Sequence, residues 1–205
     1  GGEESGNGGF IETSGLKGFE IFTTPDTSAN FGNGGVWLID PNTITIVNAD
    51  GNNSVGGSDE FFNIKSSIKN GEESFFSSGD GAKLDVDYIL RGLQGSSTVI
   101  IKTTSSGTNL DSGNINFTAN MDYDGVGTST LKLEADNNIV FPFGVEIKDG
   151  DGSKDVLSIE LNAGGEIKLL EDATINTQGG FFTVGNITTP TTFTNLGAID
   201  TSGIN

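Results

Sequence analysis

Carboxylates are the reactive groups this chain holds in quantity, and two acidic turns carry the most suggestive spacing. Asp122-Tyr-Asp124-Gly125 and Asp149-Gly-Asp151-Gly152 each place two carboxylates one residue apart before a glycine, and the second follows the first by 27 residues. If the chain coils with that period, Asp122, Asp124, Asp149 and Asp151 gather at one corner, a set of hard oxygen donors suited to Ca²⁺. Calcium is the one cofactor these residues suggest; the competing reading is a solvated acidic corner. The second turn also reaches Glu160 at the twelfth position, the ligand spacing of an EF-hand loop. Lys154 stands where that loop needs glycine, and a strand pattern follows where a helix belongs, so the EF-hand reading fails.

Other chemistries are narrowed by composition. The chain has no cysteine and no histidine, so disulfides, thiolate metal sites and imidazole ligation are excluded. It carries 10 Lys plus Arg against 28 Asp plus Glu, a net charge of −18. Nucleic-acid binding, which rests on clustered cations, is not expected. Adsorption to anionic lipid is disfavoured for the same reason. No stretch approaches the roughly 18 apolar residues of a membrane-spanning helix. Gly1-Gly2-Glu3-Glu4-Ser5 has neither the basic region nor the apolar core of a signal peptide. With no initiator methionine, the expectation is a processed or excised segment.

Several motifs admit a sharp and a plain reading. Gly8-Gly9 and Gly34-Gly35 lack the lysine and the strand-to-helix setting of a phosphate loop, so they are expected at tight corners with positive φ. Trp37, in an apolar run, is expected in the core rather than as a sugar-stacking platform. Phe61-Phe62 and Phe75-Phe76 flank an irregular stretch, and Asn52, Asn116 and Asn186 begin glycosylation sequons. In a chain this rich in Asn and Thr, chance accounts for three such matches.

The elements that must position these residues are short strands. Ile115-Asn-Phe117-Thr-Ala119-Asn-Met121, Leu131-Lys-Leu133-Glu-Ala135 and Ile159-Glu-Leu161-Asn-Ala163 all alternate apolar and polar residues between Gly, Asn and Asp clusters. Asp87–Leu93 has a helical pattern about two turns long, too short to stand alone. A shift of 28 residues lays Leu131, Leu133, Ala135, Ile139 and Phe141 on Ile159, Leu161, Ala163, Ile167 and Leu169. A unit of about 20 to 28 residues holding two or three strands is one turn of a solenoid. Only 33% of residues are apolar and 32 are glycine, which suits a thin column of core better than a two-layer sandwich. The expectation is an all-β, right-handed parallel β-helix over 1–205, with an irregular excursion at 51–82, an insertion or hairpin packed on the shaft.

Three motifs carry a family resemblance. Asn7-Gly-Gly-Phe-Ile-Glu-Thr-Ser-Gly15, then Val36-Trp-Leu-Ile-Asp-Pro41 with Asn42-Thr-Ile-Thr-Ile46, then the stretch from Asp87 to Thr103 resemble, in order, elements of filamentous-haemagglutinin-like exoproteins. Phe193–Gly203 is similar to repeats in longer relatives. The resemblance spans most of the chain. It implies a two-partner-secreted bacterial protein, exported through an outer-membrane transporter and folded outside the cell as a β-helical fibre. The expected role is then a non-catalytic adhesive shaft whose partners are a host or neighbouring cell surface, a glycan, or another copy of the fibre. Two rivals remain: a β-helix polysaccharide-degrading enzyme, and an ice- or mineral-binding solenoid. The first has carboxylates for glycoside hydrolysis but no histidine and no cluster of cations to grip an acidic sugar. The second would need a regular Thr-x-Thr ladder, which Thr188-Thr189 and Thr191-Thr192 do not form.

Overall fold

Alternating side chains cannot all find water, so these strands stack their apolar faces inward. The computed structural model describes residues 6–14, 25–29, 32–40, 43–48, 64–69, 72–77, 82–94, 96–103, 112–150 and 155–203. Strands β1 (Phe10–Ser14), β2 (Val36–Asp40) and β3 (Ile44–Val47) come first. An antiparallel hairpin of β4 (Ile64–Lys69) and β5 (Glu72–Ser77) follows, then β6 (Ala82–Asp85) and helix α1 (Val86–Leu93). From there each coil holds three strands. They are β7 (Thr98–Lys102), β8 (Ile115–Phe117) and β9 (Met121–Tyr123), then β10 (Thr128–Ala135), β11 (Ile139–Phe141) and β12 (Glu146–Asp149). Next come β13 (Val156–Ala163), β14 (Glu166–Leu169) and β15 (Thr174–Asn176), and finally β16 (Phe182–Val184), β17 (Thr192–Asn195) and β18 (Ala198–Asp200).

These strands build three walls. The first runs β1-β2-β7-β10-β13-β16, the second β17-β14-β11-β8-β3-β6 and the third β18-β15-β12-β9, while β4 and β5 form a separate two-stranded sheet. Every pairing within the walls is parallel. The fold is a parallel β-solenoid. The 28-residue repeat is its register: Leu131 stacks on Ile159, Leu133 on Leu161, Ile139 on Ile167, Phe141 on Leu169 and Ile147 on Ile175. All of these side chains are buried, in one apolar column that also holds Trp37. Each fully buried Leu or Ile contributes roughly 1.5–3 kcal/mol, so the column supplies most of the drive to fold.

The coils differ in length, and the corners absorb the difference. Ile115 and Ile139 stack 24 residues apart, and Met121 and Ile147 stack 26 apart. At the bend between the first and second walls, side chains take up backbone donors of the next coil. Asn114 Oδ1 accepts from Asn138 N at 3.1 Å and from Asn137 Nδ2 at 2.9 Å, and Asn138 Oδ1 accepts from Glu166 N at 2.7 Å. Without these partners, N–H groups turned out of the ladder would be buried unsatisfied.

The paired glycines work differently from the expectation. None of Gly8, Gly9, Gly34 and Gly35 has a positive φ. A Cβ on Gly35 would lie 2.2 Å from Gly9 O, one on Gly8 2.2 Å from Thr27 O, and one on Gly34 2.0 Å from Ser96 O. Backbone crosses backbone there, and only hydrogen fits.

Helix α1 forms because Asp85 caps it, accepting from Asp87 N at 2.8 Å, with Asp87 in the first turn and Arg91 in the last. Val86, Ile89 and Leu93 are fully buried, and the helix packs on β6, β7, β9 and β10. It lies at the end of the third wall where β9 is the outermost strand.

Candidate functional site

The acidic turns are the first place to look for chemistry, and core packing turns Asp122 and Asp149 in opposite directions. In the third wall Lys148 stacks on Asp122 and Asp149 stacks on Tyr123. That register follows the apolar alternation, one residue away from the 27-residue match of the turns. Asp122 therefore faces solvent, with Lys148 Nζ at 3.2 Å, whereas Asp149 points inward and is fully buried. The hydrogen bond from Lys148 to Asp122, reinforced by Glu146 at 3.8 Å, raises the lysine above its usual range. Asp124 is exposed, and Asp151 lies outside the described residues. Among the described residues no group of three or more Asp, Glu, His or Cys is placed to hold a metal ion.

A polar cluster occupies the core instead, between α1, the first wall and the third. Tyr123 OH donates to Ser129 Oγ at 3.0 Å, and Ser129 Oγ donates to Leu93 O at 2.5 Å and accepts from Ser97 N at 3.2 Å. Asp149 Oδ2 accepts from Leu157 N at 2.8 Å, and Asp155 Oδ2 accepts from Gly125 N at 2.8 Å. Burial pushes the Tyr123 phenol above its usual value; the Ser129 bond opposes this, and Asp155 and Asp149 reinforce it. The phenol is thereby held neutral as a donor tying the helix C-terminus to both walls. Residue types and turn spacing did not single this cluster out. The signal was present: Asp149 follows Ile147 by two, the inward phase of its strand.

Among the described residues, clefts lie on the outside, two of them beside charged side chains. One, of about 370 Å³, lies between Pro25–Ser28 and Arg91, Gly92 and Gln94 at the end of α1. Asp26 in it accepts from the Ser28 hydroxyl at 2.6 Å and the Ser28 amide at 2.9 Å, bonds that lower its carboxyl below the usual range. The other, of about 150 Å³, is lined by Lys102, Glu134, Asp136, Asn162 and Thr188 among others, beside the Lys102–Glu134 pair at 4.0 Å. Asn162 is buried because the chain after β16 folds over it, with Ile187 N donating to Asn162 Oδ1 at 2.7 Å. Both clefts are lined by charges of both signs and by no aromatic ring among the described residues.

Of the other motifs, Trp37 is fully buried, packed against Gly92 of α1. Asn116 lies on the outward phase of β8 and Asn186 is exposed, whereas Asn52 lies outside the described residues. Phe75 and Phe76 fall on β5; Phe61, Phe62 and most of 51–63 are outside the described residues. No described helix is long and apolar enough to cross a membrane. No family model, curated protein or solved structure matches the chain.

Proposed function

We propose that this chain is a structural, adhesive shaft segment of a secreted bacterial surface exoprotein and that it performs no catalysis. The observation that carries the reading is the continuity of three parallel walls over one apolar column, a rod whose coils need only their neighbours. Such a rod presents side chains on its outer walls at strand spacing, about 4.8 Å from coil to coil. The β4–β5 hairpin forms a sheet of its own, outside the three walls' pairing, and excursions of this kind carry contact surfaces more often than the scaffold does. The resemblance of the Asn7–Gly15 and Val36–Pro41 motifs to filamentous-haemagglutinin-like exoproteins supports the same reading. On it, the chain passes an outer-membrane transporter and acts outside the cell.

The test is attachment. Beads coated with the chain are expected to bind cells or immobilised glycans, and replacing the hairpin by a short Gly-Ser turn should reduce that binding while the walls stay folded. Cleavage of uronate polymers by the pure chain would overturn the reading in favour of an enzyme.

A further inference from the structure

The corner between the first and second walls is longer after β16 than in the two coils before it. Three residues lead from β10 to β11 and two from β13 to β14, but seven, 185–191, separate β16 from β17. The surplus folds back as a strap over the outer face of the first wall. Gly185 N donates to Leu161 O at 2.9 Å and Thr191 N to Gly165 O at 2.8 Å, which fixes both ends, and Gly185 takes a φ of 75° to begin the turn. Between these ends Ile187 N and Thr188 N both donate to Asn162 Oδ1, at 2.7 and 3.3 Å. Asn162 stands on the outward phase of β13, yet it is 1% exposed.

Two donors on Oδ1 settle which way the Asn162 amide points, since its nitrogen cannot accept them. Nδ2 is therefore a donor, and among the described residues it is buried with no hydrogen-bond partner. A covered amide left in that state is costly. Asn162 also lines the cleft of about 150 Å³ between the strap and the preceding coils. Lys102, Glu134 and Asn162 are successive rungs of one outward column on the first wall, and Asp136 borders the cleft beyond them. Lys102 Nζ is 4.0 Å from Glu134 Oε2, too far for a hydrogen bond, so the carboxylate keeps room for another donor.

We propose that this cleft binds a neutral ligand with two adjacent hydroxyl groups, a single sugar ring or the terminal ring of a longer chain. One hydroxyl accepts from Asn162 Nδ2, and the pair donates to the carboxylates of Glu134 and Asp136. An anion is opposed, because one cation and two carboxylates line the cleft in a chain of net charge −18. A cation would answer the carboxylates but offers Asn162 no acceptor. A group that both donates and accepts serves all three, and a rigid ring presents two such groups at a lower ordering cost than an open chain. Size agrees, since about 150 Å³ lies below the range of pockets for drug-sized ligands and suits one ring. Seating the ring against the covered amide requires the strap to ease outward, and Ile187 on it is 63% exposed rather than packed in the core. The site goes beyond the shaft reading and does not depend on it: a free sugar bound by one copy and attachment to a cell are separate results.

Titration of the isotope-labelled chain with the methyl glycosides of glucose, galactose and mannose, followed by NMR, tests the proposal. These probes present adjacent hydroxyls in different arrangements. The expected result is a saturable shift of the Asn162 side-chain amide and of the Ile187 and Thr188 backbone amides with at least one of them. With no aromatic ring to stack on, the Kd should fall in the millimolar range. Glu134→Gln replaces a charged acceptor and should weaken binding about tenfold or more. Asn162→Asp keeps the oxygen that holds the strap but removes the donor, and should abolish binding. Asp122→Asn, on the third wall, should leave it unchanged. If no glycoside moves the Asn162 amide, ordered water is its partner and the proposal falls. Equal binding of acetamide, which donates and accepts without hydroxyls, or unaltered sugar binding by both cleft variants, would overturn it as well.

Discussion

Glu160 is 7% exposed, and the Lys132 ammonium sits 2.9 Å from its carboxylate across the neighbouring strand. Lys132 occupies the outward phase, where the alternation alone suggests a dispensable side chain. Its partner is covered, however, so Lys132→Ala leaves a buried charge behind and should cost about 2 kcal/mol in urea unfolding, less than a fully buried pair because the lysine itself is partly wet. Glu160→Gln in the same molecule should recover much of that loss; no recovery would mean the ion pair is not the cause. Lys102→Ala, whose pair with Glu134 is long and more exposed, should cost less than about 1 kcal/mol. Leu161→Asp puts a carboxylate into the apolar column and should cost about 4 kcal/mol or more. Tyr123 predicts a pH dependence. Its folded pKa is raised, so its stabilising contribution is complete below the unfolded value of about 10 and is lost as pH rises through the folded value. Stability of the unaltered chain should fall more steeply above about pH 10 than that of Tyr123→Phe, measured by urea melts across the alkaline range. Parallel curves would remove the tyrosine from the account.

The corners and the helix decide how the strands are held. Gly35→Ala drives a Cβ into Gly9 O, and the coil must shift to admit it, so a loss of about 1–3 kcal/mol is expected. Gly9→Ala, with nothing within 4 Å of the added carbon, should be tolerated. Equal losses at both positions would mean that conformational freedom, not space, selects glycine here. The acidic turns also belong to this scale. With Asp122 outward beside Lys148 and Asp149 buried, millimolar Ca²⁺ and excess chelator should give the same melting temperature. A rise with calcium would show that the turns, including Asp151, bring their carboxylates together.

Across the whole molecule, a net charge of −18 on one rod stores self-repulsion in every coil. Added monovalent salt should therefore raise the melting temperature until screening is complete, at a Debye length of about 3 Å near 1 M. The thin column makes each coil depend on the coils beside it. A lesion such as Leu161→Asp should thus open β13 and its neighbours before distant coils, a gradient that hydrogen exchange would detect. Uniform loss of protection along the chain would instead indicate one cooperative unit.

Alternation and the 28-residue shift determined the strands, the parallel solenoid, the Leu131–Ile159 register and the inward column, because side-chain period and apolar burial are local properties that a coil repeats. Helix α1 was visible as a short pattern around Ile89 and Leu93. What it closes was not, since that depends on β9 being the last strand of its wall. The corner glycines were recognisable as corners, but their reason is a backbone crossing from another coil, which no local pattern records. The calcium-like spacing of Asp122, Asp124, Asp149 and Asp151 is a property of the linear chain. Where Asp122 and Asp149 fall was decided by Met121 stacking on Ile147, because placing those apolar side chains inward outweighs aligning the two turns. The partnership of Lys132 with a covered Glu160 likewise exists only once the coils are stacked.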